Sequence, residues 1–319
     1  MTTSSQEVSF ADATAVKALS SHVYEANFPD DWCIGSVPHG GYVTSVFLQV
    51  ASKHFKTTLS AQNQPHTIGL HLDFLRRTQG GRATFTVKDT KLGRQTSVVH
   101  ITLTQDGREE VVGSLTQSNI DTESGVSFDT SFALVPAPLP VDLKKLEVDE
   151  DENWVKVGHM PHSEFRKATK KTQFCLPRNG QKNWSWSDQY MRLASGEKWT
   201  NESIGYVVDM FRMPVESHLQ LEAAEKIAAG VGDGGESEAR KFWYPTVLLN
   251  LDVKKKLPVD GVEWLLTRTT AKVVKNGRMD LEIVVLDEEN AIVALSHHIA
   301  LAVGSERNLA KRVTSGSKI

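Results

Sequence analysis

The sequence predicts an α+β fold made of two repeats, each a long helix wrapped by an antiparallel β-sheet. Two observations carry that expectation. First, each half contains a glycine-led apolar stretch of helical length, followed by runs in which apolar and polar residues alternate as they do in strands. Second, the order of segments in one half recurs in the other. Gly41-Tyr42-Val43, Leu72-Asp73 before a basic run, Gly93-Arg94 and Val111-Val112-Gly113-Ser114 return as Gly205-Tyr206-Val207, Leu251-Asp252 before a basic run, Gly277-Arg278 and Val293-Ala294-Leu295-Ser296. The offsets are 164, 179, 184 and 182 residues, so after one insertion behind the second helix the register hardly drifts. A duplicated module explains this most simply.

In chain order, residues up to Ser20 read as a short helix with Ala15, Val16, Ala18 and Leu19, and Val23 to Phe28 as a strand. Pro38-His39-Gly40-Gly41 then opens a stretch from Tyr42 to Ala51 that is apolar on nearly every side, which is the pattern of a buried helix. Thr67 to Arg76, Arg82 to Thr90, Thr96 to Gln105 and Glu110 to Asn119 follow as strands. From 121 to 165 the chain has prolines and the acidic run Glu147 to Glu152 without a sustained period, and is read as a linker. The second repeat spans 166–303, with strands near Thr172 to Leu176 and Trp184 to Met191 and a helix from Ser203 to Met213 that Pro214 ends. The first repeat is thus 1–120, and 304–319 is a C-terminal tail. Residues 219–241, with Gly230 to Gly235, form an insertion read as a mobile loop, either a lid or slack.

Composition narrows the function classes. A chain of 319 residues can bury a large core without covalent staples. Its formal net charge of −3 gives no overall attraction to nucleic acid. Two cysteines, Cys33 and Cys175, suit reduced buried thiols in an intracellular, cytoplasmic protein better than a disulfide framework. No run approaches the length of a membrane span, and the first residues lack the features of a signal peptide. The ending Ser317-Lys318-Ile319 is one conservative change from the Ser-Lys-Leu peroxisomal address, which makes the peroxisome the alternative location. No Gly-x-Ser-x-Gly elbow or phosphate-cradling loop occurs. His159-x-x-His162 lacks a Cys or carboxylate at ligand spacing, and His297-His298 point to opposite faces of a strand. No metal or cofactor is called for.

The two copies differ where chemistry is feasible. Where the first has Ser45, the second has Asp209, set among Val207, Val208, Met210 and Phe211. Desolvation there should raise its pKa and make it a good base at neutral pH. Gly40 and Gly41 stand where a helix leaves backbone N–H groups free, and they let a carbonyl approach closely, although a tight turn for packing reads equally well. The first copy offers Gly40-Gly41 and no acid; the second offers Asp209 but Ile204 in place of the first glycine. One site built across both halves follows.

Through Pro38-His39-Gly40-Gly41-Tyr42, Glu263-Trp264-Leu265-Leu266 and Val293-Ala294-Leu295-Ser296-His297-His298, the chain from about residue 20 to 303 resembles the double hotdog fold of the acyl-CoA thioesterase II type, in particular its fungal thioesterase-like relatives. The resemblance implies an acyl-CoA or acyl-thioester hydrolase whose water is held by an Asp on the second hotdog helix and a Thr and a Gln on strands. The Asp falls on Asp209. The Gln falls on His298, a departure that suits either a bond to the water or a core histidine. The Thr falls on Thr246 if two following residues are deleted and on Leu248 without a gap, with Asn250 on the same strand face as the other polar candidate. His39 suits substrate contact or a helix cap. Arg76-Arg77 and Lys254-Lys255-Lys256 suit coenzyme phosphates or the guarding of a sheet edge. The implied partner is the small-molecule acyl-thioester, lying in an apolar tunnel between the helices, with a homodimer among the compatible assemblies. Alternatives are a repurposed hotdog enzyme of fungal secondary metabolism (product release, cyclisation or isomerisation) and a non-catalytic acyl-chain binder.

Overall fold

Alternating burial along the predicted strands turns one face of each toward a helix, and hydrogen bonding between them builds one large antiparallel sheet across both halves. The computed structural model describes residues 8–310 except 159, 161, 182, 184, 217 and 219–241, so the predicted loop at 219–241 and the C-terminal tripeptide lie outside the described residues. The main elements are β1 (Val23–Phe28), α1 (Gly40–Lys56), β2 (His66–Phe74), β3 (Gly81–Lys91), β4 (Ser97–Gln105), β5 (Arg108–Ser118), β6 (Trp154–Val157), β7 (Thr172–Pro177), β8 (Trp186–Leu193), α2 (Ile204–Val207), β9 (Thr246–Val253), β10 (Leu265–Thr270), β11 (Arg278–Leu286) and β12 (Ile292–Leu301). Across the sheet they run β1-β3-β4-β5-β2-β9-β12-β11-β10-β8-β7-β6, with Lys17–Ala18 beside β1. Strand β4 shows why: every second residue from Ser97 to Gln105 is buried, placing Val99, Ile101 and Leu103 against the helix side. Among the described residues no helix is long and apolar enough to cross a membrane.

The halves join at β2 and β9, and the register there carries the duplication. Leu72 pairs with Leu249 and Leu70 with Leu251, around a central pair of His71 and Asn250. Since Leu72 corresponds to Leu251 in the repeat, exchanging the halves maps this pairing onto itself, and a local twofold passes between His71 and Asn250. Both strands carry a bulge at corresponding places, Thr67/Gly69 and Thr246/Leu248. On the helix side, α1 and α2 meet backbone to backbone. A Cβ on Gly41 would stand 2.8 Å from the Gly205 carbonyl oxygen, and one on Gly205 2.7 Å from the Ser45 nitrogen. Only glycine fits that crossing.

Several expectations need correction. The N-terminal helix is only Phe10–Ala13, capped by Ser9, and Lys17–Ala18 is strand. The second helix is not 203–213 but the four residues of α2, because Gln189, buried on β8, takes the Met210 carbonyl at 2.8 Å and the Arg212 amide at 3.3 Å, bonds a helix needs for itself. Pro214 starts a new helical turn instead of closing the old one, as its fixed φ allows at a first position. The stretch read as linker is partly built into the fold, with a short helix Leu143–Glu147 and the edge strand β6. Its acidic run Glu147 to Glu152 is exposed except at Asp151, which is buried and accepts from the amides of Asp142, Asn153 and Trp154, and Trp154 fills a second apolar cluster with Leu146, Tyr190 and Trp264. Lys254 to Lys256 follow a central strand, so they guard no edge, and each pairs with a carboxylate: Asp252, Asp287 and Asp121. Both cysteines are free and buried, and burial pushes the Cys33 thiol up to about 12 and the Cys175 thiol to about 11.

Candidate active site

Asp209 lies just past the C-cap of α2, 7% exposed, where the Gln189 bonds hold the unwound chain. Its two oxygens have different surroundings. Oδ1 accepts from the Thr246 hydroxyl at 3.2 Å and stands 3.4 Å from His298 Nδ1. Oδ2 faces the N-terminus of α1, where a Cβ on Gly40 would come within 2.7 Å and His39 Nδ1 is 3.8 Å away. Thr246, Asp209, Gly40 and His39 all line one cavity of about 290 Å³, with apolar walls that include Ile34, Phe74, Met210 and Phe211. The structure thus brings Asp209, Thr246, Gly40 and His39 together from both halves.

Burial raises the Asp209 carboxyl, as expected from sequence, but His298, His39 and the Gly41 amide outweigh it and hold the group below the usual carboxylate range. The expected upward shift is therefore corrected: the neighbours come from two other segments, the start of α1 and β12, and together they favour the charged form. The sign sets a stability window. A group whose folded pKa lies below its unfolded value of about 3.9 stabilises fully above that value and loses the contribution as pH falls through the folded one. The difference in unfolding free energy between the native protein and Asp209→Asn is expected to stay flat from about pH 7 to 5 and to shrink only below about pH 4. Urea unfolding across that series checks it.

His39 caps α1: Nδ1 accepts from the amides of Gly41 at 3.2 Å and Tyr42 at 3.4 Å. An acceptor nitrogen cannot be protonated, and burial does lower the His39 pKa, against the pull of Asp209. The Gly41 N–H is consequently spent on the cap and on Asp209. Of the two predicted donors, Gly40 is the one whose N–H has no acceptor among the described residues. A methyl group at Gly40 would press on the carboxylate, and Gly40→Ala is expected to cost roughly 10²-fold in kcat/KM, the scale of an ångström of misplacement. Steady-state kinetics on an acyl-CoA checks this, and an unchanged kcat/KM counts against it.

Asn250 is not at the site. The bulge between Thr246 and Leu248 changes the phase of β9, so Thr246 turns toward Asp209 while Asn250 turns out to His71, with its Oδ1 2.7 Å from Nδ1. Leu248, the gap-free alternative, pairs within the sheet with Asp73 and Ile299. His298 is fully buried and backs Asp209 instead of lining the cavity. Sequence reasoning missed Ser296, two residues away on the same strand face. Its hydroxyl donates to the Asn250 carbonyl at 2.5 Å and so accepts from His298 Nε2 at 2.8 Å. That puts a proton on Nε2 and turns Nδ1 to Asp209 Oδ1, where the histidine favours the carboxylate when Nδ1 carries a proton as well. Gln189 and Ser296 were both in plain view, but no periodicity marks a buried polar side chain as a holder of someone else's backbone or ring.

Residues 28–118 match the acyl-CoA thioesterase N-terminal domain family and 140–302 the acyl-CoA thioesterase C-terminal domain family. The chain is 36% identical to the thioesterase-like protein TwmA of Talaromyces wortmannii over 97% of its own length and 95% of the relative's. Its fold is similar to a hot dog fold protein of Alicyclobacillus acidocaldarius, with TM-score 0.69 and 15% identity over 92% of this chain and 98% of that one. It is also similar to the acyl-CoA thioesterase II TesB2 of Mycobacterium marinum, with TM-score 0.61 and 15% identity over 93% and 98%. With a double hotdog sheet, one carboxylate at the junction of the repeats and these two domain matches, the chain belongs to the acyl-CoA thioesterase family and is a thioester hydrolase.

Proposed function

We propose that the protein hydrolyses an acyl-CoA or related acyl-thioester with a water activated by Asp209. The supporting observation is the division of labour on that carboxylate: Oδ1 is held by Thr246 and backed by His298, while Oδ2 faces the cavity beside the free Gly40 N–H. Water attacks the thioester carbonyl carbon and gives its proton to Oδ2. The oxyanion forms against the Gly40 amide at the positive end of the 17-residue α1. Collapse breaks the C–S bond, and the proton returns to the leaving thiolate. His298 is a positioning residue, and so is Ser296. The acyl chain lies along the apolar wall, and Arg76 and Arg77, on the same cavity, face the phosphates of the coenzyme.

Assaying a panel of acyl-CoAs of different chain lengths tests the reading. Turnover of at least one is expected, and no turnover of any overturns it. His298→Gln, which restores the family's residue, is expected to retain activity. Ser296→Ala strips the acceptor from His298 Nε2 and the donor from the Asn250 carbonyl. It is expected to destabilise the protein by about 1–3 kcal/mol and to move the acid limb of the pH–rate profile, because Nδ1 is then free to change tautomer.

The departure at His298 supports a second reading in which Asp209 and its histidine serve as base and acid in releasing, cyclising or isomerising a secondary metabolite. Absence of acyl-CoA hydrolysis with turnover of a polyketide thioester would favour it. Tight acyl-CoA binding with no turnover of either would favour a binder.

A further inference from the structure

At the end of α1 away from Gly40, about 21 Å along the helix at 1.5 Å per residue, three side chains from separate segments converge. His22 comes from the turn before β1, His54 from the last turn of α1 and Asp89 from β3. His54 Nε2 lies 3.0 Å from Asp89 Oδ1 and His22 Nε2 3.2 Å from Oδ2. All three ligand atoms fall within 4.8 Å of one another, and the two rings meet edge to face. At sequence positions 22, 54 and 89 they form no spacing motif.

The far ring nitrogens are held as well. His22 Nδ1 is 2.9 Å from the Ser21 hydroxyl. His54 Nδ1 is 2.9 Å from the Tyr24 hydroxyl and 3.2 Å from the Ser21 carbonyl oxygen. A ring nitrogen is attracted to a carbonyl oxygen only if it carries a proton. The Tyr24 hydroxyl donates to that same carbonyl at 3.1 Å, which leaves its lone pair to receive the Nδ1 proton. A neutral His54 held this way presents a bare Nε2 lone pair to a carboxylate oxygen 3.0 Å away. Two lone pairs at that distance repel, and a metal cation held between them turns the repulsion into two bonds. His22 and Asp89, 41% and 23% exposed, open the cluster to water on one side.

We propose that His22 Nε2, His54 Nε2 and Asp89 bind one zinc ion, with water completing the coordination. Two imidazoles and a carboxylate are zinc ligands, and an outer Nδ1–H held by a carbonyl or hydroxyl is the usual support for a metal-bound imidazole. Ligand atoms at about 2.0–2.2 Å from zinc in a tetrahedral array stand little farther apart than the two contacts already do. The ion braces the turn before β1 against α1 and β3, remote from Asp209, and takes no part in hydrolysis.

The test uses the full chain, stripped with chelator and dialysed against zinc chloride, with bound zinc measured by plasma mass spectrometry. One zinc per chain is expected, with a melting temperature that rises and saturates with zinc. Cobalt chloride should give the visible absorption of a low-coordinate site. His22→Ala and Asp89→Asn are expected to lose all three signals while keeping acyl-CoA turnover and circular dichroism. Less than stoichiometric zinc in the native chain overturns the proposal, and so does undiminished zinc in His22→Ala. His22 is partly exposed, so its variant decides the matter even if Asp89→Asn folds poorly.

Discussion

Asp209→Asn is expected to lower kcat/KM toward the best acyl-CoA by about 10²–10⁴-fold, the contribution of a positioned general base. Asparagine keeps the shape of the carboxylate, and its oxygen still accepts from Thr246. Its amide nitrogen takes the place of Oδ2, on the side of Gly40 and of His39 Nδ1, an acceptor. The fold and the acyl-binding wall are therefore retained, and the loss is expected in kcat with KM little changed, as when an interaction made only in the transition state is removed. Equal rates for native protein and variant would remove Asp209 from the mechanism. Loss of kcat that tracks only the unfolded fraction of the variant would mean the carboxylate serves the fold instead.

Much of the fold is legible in the chain because the repeat is long and its strands alternate cleanly. Asp209 stands out because the twin helix has serine there. The surroundings of Asp209 are not legible, since they depend on residues brought together by bulges and buried amides. One extra residue at Thr246/Leu248 moves Asn250 to the outer face. The side chain of Gln189 unwinds the helix after Val207. The direction of the Asp209 pKa is a sum over His39, Gly41 and His298, which lie 170, 168 and 89 positions away, against a burial cost that is easier to foresee. Composition also misreads Asp151, whose carboxylate is committed to three amides inside a segment that looks like a charged linker.

Asp188→Ala is expected to cost about 3–5 kcal/mol of stability, the scale of removing one partner from a buried ion pair. Both residues of the Asp188–Arg268 pair are nearly fully buried, at 6% and 5% exposed, and the guanidinium grips the carboxylate with two bonds of 2.6 Å. A third guanidinium bond, 2.7 Å long, reaches the Pro136 carbonyl, and the same group lies 5.2 Å from the centre of the Trp186 ring. The pair thus ties β8 and β10 to the segment between the repeats, and its loss leaves a cation without water or counter-charge. Asp188→Leu with Arg268→Met removes both charges and is expected to regain most of the loss, because two apolar groups leave nothing unsatisfied except the Pro136 carbonyl. Urea midpoints of the single and double variants check this, and a single variant costing under about 1 kcal/mol would mean water reaches the pair. Asp188 adjoins Gln189, which holds the Asp209 turn from the helix side of the same strand. A shift of β8 severe enough to break the first contact should therefore disturb the second, so Asp188→Ala should lose hydrolytic activity at a lower urea concentration than the one at which it unfolds.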